Sequence, residues 1–346
     1  MTKSIPGLNN EIQFGEEKFY CTILGESPSK GARSPDLWNG CFKHFNIPSV
    51  FYPFDVSAED LGSMVEYLKS DHKFMGGAVT VPHKESIISH LDKVEEEASY
   101  IGAVNLIYKK NGALIGSNTD GLGAILSMSR KYNASFDSFA KGMNALIIGT
   151  GGAAKACAIY LAKALGHEGN MYISARSLEK AQSLASACSV FTKAQSLSLN
   201  ELETIISEID LLVNCTTVGF RNPVKDGKTY FLLEPFTPLG PLPKKGFINT
   251  EKDTVGDWLV GQIPAILDNI KKSYELIGLL KKNSFVMDVI YQPEETSMIK
   301  IANCYQLPTL SGKSMNLLQA VYGFVKVFSE YESKLEEVER IMGEVQ

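Results

Sequence analysis

Residues 144–154 read Asn-Ala-Leu-Ile-Ile-Gly-Thr-Gly-Gly-Ala-Ala, and this stretch decides the fold of the second half of the chain. Asn144–Ile148 predicts a β-strand, and the small residues from Ala153 onward predict a helix that follows the glycines at once. The turn fits G-x-G-x-x-A, in which the glycines permit a tight turn and let a pyrophosphate approach the main chain. The helix N-terminus favours that negative charge. We predict a Rossmann-type dinucleotide-binding unit; the alternative is a glycine-rich turn that serves packing alone.

The end of the next predicted strand indicates which dinucleotide binds. An NAD site usually carries Asp or Glu there, because a carboxylate bonds the ribose hydroxyls. This chain has Ser174-Ala175-Arg176-Ser177 instead, and an arginine beside hydroxyls suits the 2′-phosphate of NADP. We therefore predict NADP rather than NAD. The alternative for Arg176 is a solvated side chain at the start of a helix.

Predicted strands and helices alternate on both sides of this stretch. Strands over Phe19–Leu24, Val50–Phe54 and Gly77–Val81 are separated by segments with the apolar spacing of helices. Ser34-Pro35 predicts the start of one helix, with Ser34 as its N-cap. Such alternation predicts an α/β fold with mostly parallel sheets, and a length of 346 residues favours two domains.

Composition excludes several classes of function. The net charge of −5 argues against nucleic acid as a partner, because phosphate binding needs a basic face. No apolar run approaches the roughly 18–20 residues that span a bilayer, and the start of the sequence does not resemble a secretory signal. None of the six cysteines forms a CxxC pair. We therefore expect free thiols in a reducing cytoplasm, with no metal and no membrane.

Two polar runs carry the candidate chemistry. Gly76–Lys84 and Gly116–Gly121 each place an ionisable side chain soon after an apolar strand, Lys84 in the first and Asp120 in the second. Between them, Asn105 forms the polar tip of another turn. Side chains at strand ends are typically presented into a cleft, so we interpret Lys84 and Asp120 as a possible proton-transfer pair. Taken singly, Lys84 could be a solvated lysine, Asp120 a helix cap and Asn105 a turn cap.

Together these motifs resemble the shikimate dehydrogenases and their quinate/shikimate-type relatives. The resemblance covers most of the chain and follows the family's order. Its motifs are Ser34-Pro35 with Asn39, Val79–Lys84, Asp92, Gly102–Asn105, Gly116 with Asn118–Gly121, the glycine turn at 149–154, Asn214–Gly219, Asp288–Tyr291 with Pro293 and Thr296, and Gly312 with Met315 and Gln319.

The resemblance implies two α/β domains with the active site in the cleft between them. Residues 1–123 would form the substrate-binding and catalytic domain, with a C-terminal helix over 314–346 packed back on it. Residues 124–313 would form the Rossmann NADP-binding domain, with an insert at about 221–283. The protein would be a monomer or homodimer in the cytoplasm, acting in aromatic amino acid and chorismate biosynthesis on a small cyclic polyol acid.

The resemblance also implies the role of each residue. Lys84 and Asp120 would be the catalytic pair for hydride transfer between shikimate and NADP. The substrate would be bound by Ser34, Thr80, Asn105, Tyr291 and Gln319. The cofactor would be held by Gly149, Gly151, Gly152, Ala153, Arg176, Ser177, Thr217 and Gly219.

One departure from the family pattern concerns the substrate. The family has Ser-x-Ser-Pro in the first loop, with both hydroxyls on the substrate carboxylate, whereas this chain has Ala32-Arg33-Ser34-Pro35. A basic residue such as Lys30 or Arg33 could replace the lost hydrogen bond. The alternatives are a quinate or modified-ring dehydrogenase of the same family, and a protein that binds metabolite and nucleotide without turnover. A folate-type methylene dehydrogenase fits the Asn-Thr-Asp run poorly.

Overall fold

The structure, a computed structural model, describes residues 5–135, 138–221, 224–226, 229–243 and 255–345. It divides into two compact units: Met1–Gly123 with Met315–Gln346, and Ala124–Ser314. Among the described residues, no helix combines the length and the apolar character that crossing a membrane requires.

Strands and helices alternate along the described chain, as the sequence predicts. The strands are β1 Phe19–Gly25, β2 Ser49–Asp55, β3 Phe74–Val79, β4 Lys93–Val94, β5 Leu106–Lys110, β6 Ala113–Ser117, β7 Asn144–Ile148, β8 Asn170–Ser174, β9 Lys193–Leu197, β10 Leu211–Asn214, β11 Val224–Asp226, β12 Thr229–Phe231, β13 Phe285–Asp288 and β14 Thr309–Ser311. The helices are α1 Ser34–His44, α2 Leu61–Ser70, α3 His83–Ser86, α4 Glu96–Ile101, α5 Asp120–Lys131, α6 Gly152–Leu165, α7 Leu178–Cys188, α8 Val255–Gly278, α9 Ser297–Cys304, α10 Lys313–Val327 and α11 Leu335–Glu344.

The first unit contains a six-stranded mixed sheet in the order β2-β1-β3-β5-β6-β4. Strands β1, β2 and β3 are parallel, while β5 runs antiparallel to both β3 and β6. The carboxyl ends of β1, β3 and β6 therefore lie at the same edge of the sheet as the amino end of β5. A tight turn joins β5 to β6, in which Asn111 and Gly112 have φ angles of +54° and +78°. This left-handed pair is typical of a hairpin turn.

A single C-terminal helix over 314–346 is expected from the sequence, but the structure divides this segment into three helical pieces. Helix α10 ends at Val327, a short 3₁₀ helix covers Ser329–Lys334, and α11 follows. The break falls at Phe328, whose φ of −114° and ψ of 71° are not helical. Phe328 and Val338 are both buried in the same core as Trp38 of α1. The chain thus leaves the helix so that a second amphipathic segment packs against α1.

The second unit contains a six-stranded parallel sheet in the order β14-β13-β10-β7-β8-β9. Read from β9, this is the strand order 3-2-1-4-5-6 of a Rossmann fold, so the predicted fold of this half is confirmed. The central strand β7 is buried on both faces, which explains its continuous apolar run. After β9 the chain forms short 3₁₀ turns over Leu199–Thr204 and Ile206–Glu208 before it enters β10.

The insert at about 221–283 lies only partly within the described residues. Its described part contains the antiparallel pair β11 and β12 and the long helix α8. Trp258 of α8 is buried, with its ring 6.4 Å from that of Phe236. The insert therefore has a small apolar core of its own.

Candidate active site

Three segments of the first unit meet at the sheet edge where β3 and β6 end. The main-chain N–H of Val79 donates to Asn105 O at 2.7 Å, and the N–H of Asn105 donates to Ser117 O at 3.1 Å. The N–H of Val104 donates to Lys84 O at 2.7 Å. These bonds hold the chain before Lys84, before β5 and before Asp120 side by side. Residues far apart in sequence are therefore fixed in one place.

The side chains of Lys84 and Asp120 form an ion pair at this edge. Lys84 Nζ lies 2.5 Å from Asp120 Oδ2, and the two side chains are 17% and 7% exposed. The second carboxylate oxygen, Oδ1, accepts a hydrogen bond from Asn105 Nδ2 at 2.8 Å. The pair is thus largely shielded from water, yet the ammonium keeps some access to a small molecule. This is the arrangement that a positioned proton donor or acceptor needs.

Asn105 is the centre of a hydrogen-bond network around the pair. Its Oδ1 accepts from the main-chain N–H of Thr119 at 2.7 Å, and its Nδ2 also faces Thr119 Oγ1 at 3.0 Å and Gln319 Oε1 at 3.3 Å. Thr119 Oγ1 donates to the main-chain oxygen of Gln319 at 3.0 Å. Asn105 is 3% exposed, so it is fixed from several sides. The network brings together four of the residues named from sequence: Lys84, Asn105, Asp120 and Gln319.

Sequence reasoning assigned no role to the two residues before Asp120. Asn118 donates to Ala103 O at 2.9 Å and accepts from the main-chain N–H of Asp120 at 3.0 Å, and Thr119 links Asn105 to Gln319. Both residues are buried. The signal was the polar run itself, because three consecutive polar side chains at the end of a buried strand need buried partners.

A second polar cluster lies behind the turn that carries Asp120. Glu95 accepts hydrogen bonds from Ser117 Oγ at 2.7 Å and Tyr108 OH at 2.6 Å, and its Oε2 lies 2.7 Å from Lys326 Nζ of α10. Burial alone would raise the pKa of Glu95, but Lys326 and the two hydroxyl donors outweigh it and lower that pKa. The ionised carboxylate thereby ties α10 to the end of β6.

Ser34 and Thr80 come after β1 and β3, whose carboxyl ends lie at this edge of the sheet. Ser34 is 5% exposed and is the first residue of α1, so the prediction that it caps this helix is wrong. The flanking residue is Arg33, which already has near-helical φ and ψ of −86° and −21°. Thr80 is half-buried, and its main-chain N–H donates to Leu24 O at 2.8 Å.

The loop before α1 is anchored by Asp55. Ser29 donates to this carboxylate twice, from its main-chain N–H at 2.9 Å and from its hydroxyl at 2.5 Å. The hydroxyl of Ser29 is therefore already engaged. It is a poor replacement for the hydroxyl that Ala32 lacks.

The glycine turn of the second unit fits a dinucleotide. Gly149 has a φ of +119°, and a Cβ there would lie 3.0 Å from Cys215 O. A Cβ on Gly151, by contrast, would meet no atom within 4 Å, so the turn is open on the side where a pyrophosphate would lie. Gly152 and Ala153 begin α6, whose N-terminus supplies main-chain N–H groups and a favourable dipole.

The end of the neighbouring strand β8 adds polar groups. Ser174 Oγ is buried and has no hydrogen-bond partner among the described residues. Arg176 is exposed, and Ser177 caps α7 by accepting from the main-chain N–H of Lys180 at 3.3 Å. An exposed guanidinium beside this helix start is suited to a phosphate. The residues present therefore fit the predicted cofactor.

The remaining sequence-named residues lie at the carboxyl ends of β10 and β13. Thr217 is exposed, Gly219 is buried with a φ of +109°, and Tyr291 is half-buried. Positive φ at Gly219 requires a residue without a Cβ penalty. Among the described residues, no group of three or more His, Cys, Asp or Glu side chains is arranged to hold a metal ion.

Comparisons with known proteins agree with this geometry. Residues 24–107 match the family described as the shikimate dehydrogenase substrate binding domain, and residues 133–222 match the one described as shikimate / quinate 5-dehydrogenase. These are families of two-domain dehydrogenases, as the fold and the glycine turn indicate. The shikimate dehydrogenase (NADP(+)) of Caldanaerobacter subterraneus subsp. tengcongensis is 33% identical over 320 residues, covering 92% of this chain and 95% of the relative.

Two further relatives extend the comparison. The shikimate dehydrogenase (NADP(+)) of Methanococcus maripaludis strain C7 is 33% identical over 84% of this chain and 85% of its own length. A crystal structure of a shikimate dehydrogenase in complex with NADP+ is 25% identical, with a TM-score of 0.68 over 94% of this chain and 95% of that one. The chain therefore belongs to the shikimate dehydrogenase family.

Proposed function

We propose that this protein is an NADP-dependent oxidoreductase that interconverts shikimate and 3-dehydroshikimate by hydride transfer. The observation that carries the proposal is the shielded Lys84–Asp120 ion pair held by Asn105. It is supported by membership of the family and by curated relatives named shikimate dehydrogenase (NADP(+)). The reaction belongs to aromatic amino acid biosynthesis.

NADP supplies the hydride acceptor when it is bound, and the chain manages the proton. In the reduction direction, the Lys84 ammonium donates a proton to the oxygen of the carbonyl that accepts the hydride. In the oxidation direction, Lys84 first loses a proton to solvent, and its neutral amine then receives the proton that leaves the reacting hydroxyl. Asp120 holds Nζ in place through Oδ2. Asn105 prevents the carboxylate from turning away by binding its Oδ1. The pair therefore enters the reaction already oriented, which lowers the entropic part of the barrier.

The remaining roles follow the family pattern. Thr80, Asn105 and Gln319 bond ring hydroxyls, Ser34 binds the substrate carboxylate, and Tyr291 lines the pocket. Main-chain N–H groups of the glycine turn at Gly149, Gly151, Gly152 and Ala153 hold the pyrophosphate. Arg176 and Ser177 bind the 2′-phosphate, and the turn at Thr217–Gly219 faces the nicotinamide.

A second candidate substrate, quinate or a modified ring, is favoured by one observation. Ala32 supplies no hydroxyl for the carboxylate, and the Ser29 hydroxyl is bound to Asp55. The pocket for the carboxyl group therefore differs from the family pattern, and Arg33 or Lys30 takes over this contact.

A substrate panel tests these candidates. Purified protein is mixed with shikimate or quinate and with NADP or NAD, and the absorbance of the reduced nicotinamide is followed. We expect shikimate with NADP to give the highest kcat/KM. A higher kcat/KM for quinate would overturn the assignment of shikimate as the substrate. Tight binding of NADP without any hydride transfer would overturn the proposal that the protein is an enzyme.

We further infer a cytoplasmic monomer or homodimer that binds no nucleic acid. All six cysteines are free thiols, and five of them are buried, which supports a reducing compartment. The net charge of −5 supports a small-molecule enzyme rather than a nucleic-acid partner. Sedimentation of the purified protein measures the oligomeric state.

A further inference from the structure

Two neighbouring strands of the second sheet end in side chains that bond each other. Asn214 ends β10 and Asp288 ends β13, and the two are direct partners in the parallel ladder. Asn214 Nδ2 donates to Asp288 Oδ1 at 3.0 Å, and both residues are fully buried. Each residue begins one of the two segments that carry the proposed nicotinamide turn and Tyr291.

Asp288 fixes the segment that follows its own strand. Its Oδ1 also accepts from the main-chain N–H of Ile290 at 3.1 Å, and its Oδ2 accepts from Thr296 Oγ1 at 2.7 Å. Thr296 is the N-cap of α9, where it accepts from the N–H of Ile299 at 3.4 Å. One carboxylate thus sets where the chain through Tyr291 leaves the sheet and where α9 begins.

Asn214 fixes the other segment in the same manner. Its Oδ1 accepts from both the main-chain N–H and the hydroxyl of Thr216, at 2.9 and 2.8 Å, and its Nδ2 donates to Val218 O at 3.2 Å. A Cβ on Gly219 would lie 3.4 Å from Ile290 Cδ1 and 3.5 Å from Thr296 Cβ. The two segments therefore touch, and the Asp288–Asn214 bond joins them at their base.

The electrostatics of this cluster are unusual for a structural carboxylate. The described partners of Asp288 on β10, the following turn and α9 are an amide, a main-chain N–H and a hydroxyl, all uncharged. Burial raises the pKa of Asp288 to about 7, although its hydrogen bonds oppose that shift. Charged groups on the adjoining segments, Glu294, Glu295 and Lys300, are exposed, and the Cys215 thiol is buried. Burying a carboxylate without an opposite charge costs stability, and the hydrogen bonds that the carboxylate accepts offset part of that cost. Its use to the protein is therefore the geometry that these hydrogen bonds impose.

We propose that Asp288 is a positioning residue that holds the Asn214–Gly219 turn and the Ile290–Tyr291 segment in the one arrangement that receives the nicotinamide half of the cofactor. The inference rests on the proposed function, because it assigns these segments to the cofactor. It goes beyond that function by naming the buried group that shapes them. Asp288 itself touches neither cofactor nor substrate in this proposal.

Three variants test the proposal. Asp288→Ala removes every bond of the carboxylate. Asp288→Asn can keep them, because its Oδ1 still accepts from Asn214 and Ile290 while its Nδ2 donates to Thr296 Oγ1. Asp210→Ala is the matched control: Asp210 directly precedes β10, at the opposite edge of the same sheet, and binds the main-chain N–H of Asn144 at 2.9 Å and Lys281 Nζ at 2.6 Å.

The first measurement is calorimetric affinity for NADP without substrate, beside the melting temperature. We expect Asp288→Ala to weaken NADP binding by about tenfold or more, as loss of buried hydrogen bonds implies. We expect Asp288→Asn to restore affinity to within about threefold of wild type, and Asp210→Ala to lower the melting temperature without changing the affinity. For Asp288→Ala, steady-state kinetics should show a higher KM for NADP and a lower kcat, with KM for shikimate little changed.

Other outcomes overturn the positioning role. If Asp288→Ala binds NADP as tightly as wild type does, Asp288 has only a structural role. The same conclusion follows if Asp210→Ala weakens NADP binding as much as Asp288→Ala does. If Asp288→Ala does not fold, Thr296→Val takes its place and should weaken binding by about threefold, and unchanged affinity overturns the proposal. Wild type that binds NADP but does not oxidise shikimate overturns the proposed function alone, since the affinity comparison still stands. Wild type that binds no NADP overturns both.

Discussion

Lys84 Nζ lies 2.5 Å from Asp120 Oδ2, although 36 residues separate the two along the chain. The contact arises because β3 and β6 both end at the same edge of the first sheet, with the start of β5 between them. Asn105, at that start, then binds the free oxygen of the carboxylate. The antiparallel pairing of β5 is therefore what brings the proton-transfer pair together.

Replacing Lys84 should remove most of the catalytic rate. We expect Lys84→Ala to lower kcat by about 10²- to 10⁴-fold, the usual contribution of a positioned proton-transfer group, with a smaller change in KM. The rate is measured as absorbance of reduced nicotinamide. Lys110→Ala is the control, because Lys110 is exposed at the far end of β5. A Lys84→Ala variant that keeps most of the rate would contradict the catalytic assignment.

Replacing Asn105 should lower both activity and stability. Asn105→Ala leaves the N–H of Thr119 and one oxygen of Asp120 without a buried partner, and each such loss costs about 1–3 kcal/mol of unfolding free energy. We expect a lower denaturant midpoint and a kcat loss that approaches that of Lys84→Ala. Thr119→Val separates the two effects, because it removes the hydroxyl that contacts Gln319 and Asn105 but leaves Asn105 bound to Asp120 and to the N–H of residue 119. Full activity in Asn105→Ala would show that Asp120 keeps its position unaided.

Restoring the missing hydroxyl should strengthen substrate binding if shikimate is the natural substrate. We expect Ala32→Ser to lower KM for shikimate by about tenfold to a hundredfold, the value of one hydrogen bond to a charged group. Arg33→Ala should raise that KM in the otherwise native protein. The measurement is steady-state kinetics at saturating NADP, with quinate in parallel. An Ala32→Ser variant that gains only toward quinate would favour the alternative ring.

Arg176 should decide the preference for NADP. A guanidinium bound to a phosphate contributes a charge-assisted hydrogen bond, so Arg176→Ala should raise KM for NADP by about tenfold to a hundredfold. KM for NAD should change little, because NAD lacks the 2′-phosphate. Lys180→Ala provides the comparison from the first turn of α7. Equal losses for both cofactors would place Arg176 elsewhere than at the 2′-phosphate.

Asp288 should make stability depend on pH near neutrality. Its pKa is raised from 3.8 to about 7 by burial, so its contribution to folding is present below the unfolded pKa and is lost as the pH rises through about 7. Between these two pKa values, from about pH 4 to about pH 7, the free energy of unfolding should fall by about 1.4 kcal/mol per pH unit relative to Asp288→Asn. Urea unfolding of both proteins from about pH 4 to about pH 8 measures this difference. Parallel curves would show that Asp288 does not titrate in this range.

Short local patterns in the sequence were enough to predict the glycine turn and three residues of the candidate site. The glycine turn at 149–154 requires a strand before it and a helix after it, and both are present. Lys84 and Asp120 were singled out because they come soon after apolar strands, and Asn105 because it forms the polar tip of a turn. The structure brings all three side chains together.

The rest depends on pairing between distant segments. The bond between Asn214 and Asp288 joins residues 74 positions apart, and no local pattern states that β10 lies beside β13. The break at Phe328 has the same origin, because packing on α1, rather than helix propensity, decides where α10 ends. The short elements β4 and α4 were also not predicted, since two and six residues are too few for a periodic signal.

Gln319 completes a network whose other members were made about 200 residues earlier. During synthesis on the ribosome, the polypeptide up to α5 emerges without α10 and α11, so the apolar face of α1 is uncovered and Thr119 lacks the main-chain oxygen of Gln319. The first unit thus cannot finish folding until the second has been translated. A nascent chain stalled before residue 313 should therefore depend on chaperones, and the last thirty or so residues act as the closing step of maturation.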